Sequence, residues 1–481
     1  MSQSSDTFCR HSRAERFDES YPHFPAMREA LRSTLLRLVS DIERFARPIG
    51  SMRLVGVELE TSCVRSDGHT LDQRIRDQLV EANLSRGWQK ELGAAQIELA
   101  PDPVDVTAAG GFTTLKRLIL SESAHLREEL ALHDARPIRM GSDPIVEVDE
   151  RCRTRGVERY LLVPDFHRDN RRAGMPATIG VGHTQIRTEN PTAVGACSSI
   201  QATIDCMGIK DGLDMLNASF EVGPYAVALS ANARFLNGLD TGFADIRSAL
   251  WETSHDVRTW GEVVTGHSTR SGLPSHYFNS VEAYAQDLFD QPSILDNPDA
   301  AIEIAVGLYW REARLKFLRH TEERPQLAVE FRPVSLQPTP FEDYAMIAFA
   351  VGLIHVFTTS PLPRLPLHLV QDNRWSAMVH GLRGKLWIMT EDGPKLRSGM
   401  DVLRQMIERA ADGLSRLGAN KEEINEVREV WSDRLTDGCP SDVLFAELKE
   451  QWSKSLDGSR PIHRELLREQ ILKPVFSPYD Q

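Results

Sequence analysis

The sequence predicts an α+β fold: a sheet with one apolar face backed by helices, followed by a helical C-terminal region. Two observations carry that reading. Four separated segments alternate apolar and polar residues with the period of a strand, and long stretches between them place apolar residues at helical spacing.

The organising segment is Leu54–Thr61, LVGVELET. As a strand it sets Val55, Val57 and Leu59 on one face and Gly56, Glu58 and Glu60 on the other. Glu58 and Glu60 then stand ~6–7 Å apart along the strand, from a rise of about 3.3 Å per residue. Such a pair repels unless a cation, a base or water lies between the groups. Alone, the segment reads equally well as a half-exposed strand with two solvated glutamates. Three others repeat the pattern. In Gln96–Ala100, Ile97 and Leu99 oppose Gln96 and Glu98. In Ser199–Cys206, Ile200, Ala202 and Ile204 oppose Gln201, Thr203 and Asp205. In Ala328–Pro333, Val329 and Phe331 oppose Glu330 and Arg332. A shared polar face would gather Glu58, Glu60, Glu98, Gln201, Glu330 and Arg332, a surface suited to hard divalent cations with oxygen ligands.

The remaining elements follow in order. Residues 1–22 are polar and are expected to form a flexible N-terminus. Phe24–Phe45 carries Met27, Leu31, Leu35, Leu38 and Ile42 at helical spacing, so a helix leads into the first strand. Leu71–Gly87 reads as a helix or loop excursion. Glu91 precedes Glu98 by a small-residue loop, Gly93-Ala94-Ala95, that can return it to the same site. Thr113–His133 is a second helix, Arg136–Pro144 a short strand, and Leu213–Leu229 a third helix. The arginines between Arg151 and Arg172 read as a mobile surface loop, with Arg159 set apart. Pro298–Leu318 is expected to be helical. Thr339-Pro340-Phe341-Glu342 forms a capping box with proline at the first helical position, opening an apolar helix to about Phe357. From Met400 to about Arg468 the pattern is helical again.

At 481 residues the chain can bury a large core. Its net charge of −13 argues against a nucleic-acid partner, which selects a basic surplus. Six dispersed cysteines without a CxxC pair suggest neither a disulfide framework nor a zinc site. The longest apolar run, Tyr344–Phe357, falls short of the ~20 residues that span a bilayer. With no apolar leader at its start, the chain is expected to work in the cytoplasm, away from membranes.

These blocks resemble a known family. Gly56-Val57-Glu58-Leu59-Glu60 is similar to the first-strand motif of the glutamate–cysteine ligases and related carboxylate–amine ligases. Gln96-Ile97-Glu98-Leu99 and Ser199-Ile200-Gln201-Ala202-Thr203-Ile204-Asp205 resemble the plant and proteobacterial branch. Ala231-Asn232, Phe235, Gly238, Gly242, Arg247 and Trp251 match its long ANSPF…G…G…R…W segment. Arg159-Tyr160, Glu330-x-Arg332 and Asn373-Arg374-Trp375 also fit, and the blocks keep their order from about residue 54 to 450. Ala233-Arg234 replaces Ser-Pro, Asp245 a Ser and Thr203 an Asn, departures that bear on substrate identity.

The resemblance implies a glutamine-synthetase-like fold, a curved antiparallel sheet funnel backed by helices, with residues 23–395 as catalytic domain and 396–475 as a helical region packed on it. It implies ATP and Mg²⁺ (or Mn²⁺) as cofactors, and small amino acids or a peptide as substrates. The metal-ligand positions would be Glu58, Glu91, Glu98, Gln201 and Glu330, with Glu58, Glu98 and Glu330 foremost. Arg332 and Arg247 would be catalytic; Gln201, Thr203, Arg332 and Arg374 would hold the nucleotide; Glu60, Arg159, Asn232 and Arg247 would bind substrate. The implied reaction is amide formation through an acyl phosphate, with glutamate and cysteine as the leading pair. Other amino acids or peptides, a non-catalytic binder and a phosphotransferase are the competing readings.

Overall fold

In a computed structural model, the described residues are 15–472 apart from 49, 149–151, 172–177, 180–185, 188–190, 320, 361 and 455–463. Their centre is an eight-stranded sheet in which every pairing is antiparallel. Its strands are β1 (Leu54–Arg65), β2 (Trp88–Lys90), β3 (Gln96–Leu99), β4 (Val104–Asp105), β5 (Ala135–Pro137), β6 (Ser199–Asp205), β7 (Ala313–Leu318) and β8 (Gln326–Ser335). The order runs β7-β8-β6-β1-β3-β2, with β4 and β5 added to β1.

β1 changes partners along its length. Residues 54–55 pair with β4, 55–59 with β6, 59–62 with β3 and 63–65 with β5. A twelve-residue strand cannot hold four partners while flat, so the right-handed twist of each pairing accumulates into a curl. The alternation read from the sequence is obeyed: Val55, Val57, Leu59, Ile97, Leu99, Ile200, Ala202, Ile204, Val329 and Phe331 are all buried in the main core.

Helices cover that apolar side. Ile209–Ser230 and Pro340–Thr359 are buried along nearly their whole length. The second begins at the expected capping box, Thr339 and Glu342 exchanging hydrogen bonds with each other's backbone. It is 20 residues long and apolar enough to span a bilayer, but 78% of its most apolar 18-residue stretch is buried within the protein, as in a core helix. Its crossing with Gly399–Arg416 brings two backbones together at glycines. A Cβ on Gly413 would lie 1.9 Å from the Gly352 carbonyl oxygen, so no side chain fits there.

The structure departs from the sequence reading in three places. Residues 15–22 are packed rather than loose: Phe17 is buried with its ring centroid 5.3 Å from Phe166, and Tyr21 stacks on Phe24; residues 1–14 lie outside the described part. The arginine-rich segment holds the helix Arg159–Asp169, with Arg153 and Arg168 paired to Asp165, while Arg151 and Arg172 lie outside the described residues. The stretch Pro298–Leu318 is helical only in its first part, a 3-10 turn Pro298–Ala300 followed by the helix Ala301–Gly307, and its last six residues are β7. The helices Gly399–Arg416 and Lys421–Asp437 join the same core as the sheet, with Trp431 donating to the Ala345 carbonyl, while Leu448, Leu467 and Ile471 of the last two helices pack in a smaller cluster with Val64 and Phe235.

One buried acid belongs to the core helix. Glu221 is 3% exposed and accepts the Leu365 N–H, and burial pushes its carboxyl up to about 7. An acid whose folded value is raised contributes full stability below its unfolded value, which is lost as pH rises through the folded one. The loss is roughly 3 kcal/mol between pH 4 and 8. Glu221→Gln is therefore expected to raise the urea midpoint at pH 8 far more than at pH 5. Parallel pH profiles for the two proteins would show that this acid carries no such penalty.

Candidate active site

The polar face of the sheet opens into a cleft of about 90 Å³. Glu58, Glu60, Glu98, Gln201, Arg314 and Arg332 line its floor, and Glu91, Arg159 and Tyr160 one side. Trp251, His255 and Trp310 form an aromatic wall opposite. The register explains the density of acid. Glu60 and Glu98 are directly opposed across β1 and β3, and Glu58 opposes Gln201 across β1 and β6. Like charges directly opposed across a ladder destabilise it unless a cation intervenes.

The loop after β2 returns Glu91 to this pair. Gly93 permits the return, because a Cβ there would meet the Gly195 carbonyl oxygen at 2.2 Å. One oxygen from each of Glu60, Glu91 and Glu98 lies within 4.8 Å of the others. Burial, with Glu91 adding repulsion, pushes the Glu60 carboxyl up to about 7, although Arg332 and Ser199 draw it down. Glu98 is pushed well above its ordinary value by burial and by Glu58, Glu91 and Glu60. Three carboxylates that converge with no ion pair among the described residues fit a Mg²⁺ or Mn²⁺ ion, whose ligands are oxygens.

The other two carboxylates are in a different state. Glu330, 0% exposed, is gripped by three cations: Arg314 and Arg332 on Oε2, and Lys316 at 2.6 Å from Oε1. Burial opposes its charge, but Arg314, Lys316 and Arg332 hold it well below the usual carboxylate range. Glu58 also pairs with Lys316, at 2.6 Å. A hydrogen-bonded line crosses the sheet between the two groups. Ser199 Oγ and Gln201 Nε2 each donate to Glu60 at 2.6 Å, and Arg332 donates to Gln201 Oε1.

Arg332 is aimed by an irregularity. The β8–β6 register shifts between Phe331 and Val334, at Pro333, and the Arg332 N–H donates to the Glu312 carbonyl of the loop before β7. Proline, which offers no ladder donor, is tolerated at such a bulge, and bulges redirect side chains.

The structure divides the residues singled out by the sequence. Glu58, Glu60, Glu91, Glu98, Gln201, Arg159 and Arg332 all line the cleft, Arg159 at its exposed rim. Glu330 lies beneath it. The structure separates the acids by their partners: Glu60, Glu91 and Glu98 have no ion pair among the described residues, whereas Glu58 and Glu330 are in ion pairs. Gln201 is engaged between Glu60 and Arg332. Arg247 lines an adjoining recess with Arg332 and donates to the Arg332 carbonyl, so it braces that residue.

Three others lie outside the cleft lining. Arg374 is buried in ion pairs with Glu252 and Glu312, and Asn232 donates to the Arg139 and Leu336 carbonyls. Thr203 sits on the polar face opposite Glu330 and Gly56, its hydroxyl buried without a hydrogen-bond partner among the described residues. Arg234, at a position where the resemblance puts proline, pairs with Asp240 and lies 3.6 Å over the Phe445 ring, away from the cleft.

Sequence reasoning missed Arg314, Lys316, Ser199 and the aromatic wall. The signal for the first two was present: Ala313, Leu315 and Phe317 alternate with Arg314 and Lys316, the same pattern as in the other strands. No spacing announced the wall. Trp251 stacks on His255 with centroids 5.0 Å apart and meets Trp310 at 4.9 Å. Burial pushes His255 down to about 3, so the wall is uncharged at neutral pH.

Fold and site together define a curled-sheet protein whose cleft sets converging carboxylates beside buried cations. The sequence matches the model of glutamate-cysteine ligase family 2 over residues 54–459, and the chain belongs to that family of ligases. It is similar in structure to the glutamate–cysteine ligase of Francisella tularensis solved in complex with AMP, at 14% identity over 91% of each chain and a TM-score of 0.55. A bifunctional glutathione synthetase from Pasteurella multocida matches at 13% identity over 88% of this chain and 52% of that one, with a TM-score of 0.47. No curated protein sequence matches the chain. The curled antiparallel sheet backed by helices is the glutamine-synthetase-like fold expected from the sequence.

The two kinds of carboxylate should respond differently to neutralisation. Glu98→Gln removes one repelling charge, so the urea midpoint is expected to hold or rise while Mn²⁺ binding weakens by more than about 10-fold, the lower end of the loss for a mere supporting partner. Glu330→Gln strands three buried cations. It should lower the midpoint, in line with the ~3–5 kcal/mol lost when one partner of a buried pair is removed.

Proposed function

We propose that this protein is an ATP-dependent ligase that joins the γ-carboxylate of glutamate to the amine of cysteine through an acyl phosphate, releasing ADP and phosphate. The observation that carries the reading is the charge layout of one cleft, with three uncompensated carboxylates beside a cluster of buried cations. A carboxylate is a poor electrophile. Its oxygen must first attack the terminal phosphorus of ATP, breaking the bond to the bridging oxygen and expelling ADP. The amine then attacks the activated carbonyl carbon, phosphate leaves and the nitrogen loses a proton. Both halves need negative charge stabilised as it moves, which suits fixed cations close to metal ligands.

In this reading Glu60, Glu91 and Glu98 hold Mg²⁺, which neutralises triphosphate charge when bound. Arg332, fixed by Gln201, Glu330 and the bulge, faces the transferred phosphoryl group. Arg247 and Arg159 serve the substrate carboxylates, for which a planar guanidinium fork is suited. The uncharged wall of Trp251, His255 and Trp310 excludes water from one side of the cleft. The 90 Å³ cleft is small for these reactants. A neighbouring cavity of about 780 Å³, lined in part by Ser62 and Gln96 farther along the same polar faces of β1 and β3, offers further room.

A second reading keeps the chemistry and changes the amine to another amino acid or a peptide, favoured by the large aromatic share of the cleft wall. Arg234, paired with Asp240 and outside the cleft lining, gives no support for an acid with extra negative charge. The deciding experiment supplies ATP and Mg²⁺ with a pool of amino acids and identifies products by mass spectrometry. ADP and phosphate are expected only when acid and amine are both present. Pyrophosphate released in step with product would exclude the acyl-phosphate route, and ADP formed without amine would favour a phosphotransferase.

Arg247→Lys keeps the charge but loses the fork. It is expected to raise the KM of one substrate by roughly tenfold or more while leaving the KM for ATP near normal, from the ~1.5–3 kcal/mol of a charged hydrogen bond. A change of less than about twofold in every KM would make Arg247 scaffold for Arg332 alone.

A further inference from the structure

We propose that Lys316 is a resident cation of the active site: its ammonium group occupies the position between Glu58 and Glu330 that a second divalent ion would otherwise take. Lys316 Nζ lies 2.6 Å from Glu58 Oε1 and 2.6 Å from Glu330 Oε1. One compact positive charge therefore bridges two carboxylates, an arrangement two acids otherwise achieve by sharing a metal. Lysine suits the task because its charge is concentrated at one end of a flexible stem.

Three features fix it there. Lys316 is on a paired strand, opposite Ala328 of β8, so its stem rises from the same sheet as the carboxylates. Both oxygens of Glu330 already face cations: Oε2 faces Arg314 and Arg332, and Oε1 lies against Lys316. The local charge count also disfavours a divalent ion. Glu58 and Glu330 face three cations, Arg314, Lys316 and Arg332, whereas Glu60, Glu91 and Glu98 have no ion pair among the described residues. A divalent ion is attracted to the second group and repelled by the cations of the first.

The consequence is a divided site, one half charged by the solution and the other by the chain. The tethered half cannot be removed by a chelator. The inference rests on the ligase reading only for what the cation serves.

Metal counting without substrates tests it. Free Mn²⁺ is measured by electron paramagnetic resonance during titration of the full chain. Wild type is expected to bind one ion, Lys316→Met two and Lys316→Arg one. Equal numbers for wild type and Lys316→Met overturn the proposal. Glu60→Gln, with Lys316 in place, provides a count that needs no change at the lysine: it should bind none, and a retained ion would show that Glu58 and Glu330 accept metal despite Lys316. Because no ATP, acid or amine is present, a failed product assay leaves this result standing, and a failed count leaves the ligase reading standing.

Discussion

Glu60 and Glu98 face each other across two hydrogen-bonded strands, and most of the site follows from what that opposition requires. Two carboxylates fixed at one ladder position cannot relax apart by a rotamer change alone, because the backbone holds their origins a few ångströms from each other. The protein places a third acid, Glu91, beside them rather than a lysine or arginine. That choice costs stability and is sustained by the surrounding fold, whose core extends under β1 and through the helices Gly399–Arg416 and Lys421–Asp437. Sites for charged ligands are commonly held in such an unfavourable state until the ligand arrives.

The remaining charges are arranged against that one. The line from Glu60 through Gln201 and Arg332 to Glu330 is continuous, so the uncompensated acids and the buried cations are mechanically one unit. Arg332 is the junction. Its side chain touches both halves, while its backbone is held at the bulge by Glu312 and by Arg247. Arg374, paired to Glu312 and Glu252, supports the same junction from behind. Residues that looked like ligand contacts in the sequence thus include some that act by holding others in place.

Much of this was legible without coordinates. Strand alternation has a period of two, so Glu58, Glu60, Glu98, Gln201, Glu330 and Arg332 declare a common face once their segments are read as strands. The Thr339 capping box is equally local, since its partners are three residues apart. β7 was not recognised because a short helix and a short strand adjoin within Pro298–Leu318, and helical spacing in the first part was carried into the second. That error hid Arg314 and Lys316.

The sequence by itself determined which residues share the polar face, where the helix Pro340–Thr359 begins, and the family to which the blocks belong, because each depends on local order along the chain. Tertiary structure decided which carboxylates are neutralised. Glu58 and Glu60 stand in one strand, two residues apart, yet Glu58 meets Lys316 from β7 while Glu60 meets Glu91 and Glu98. Charge compensation depends on which strand lies beside which, and at what register. That pairing is fixed by the curl of β1 and the bulge in β8, neither of which is written in any single segment.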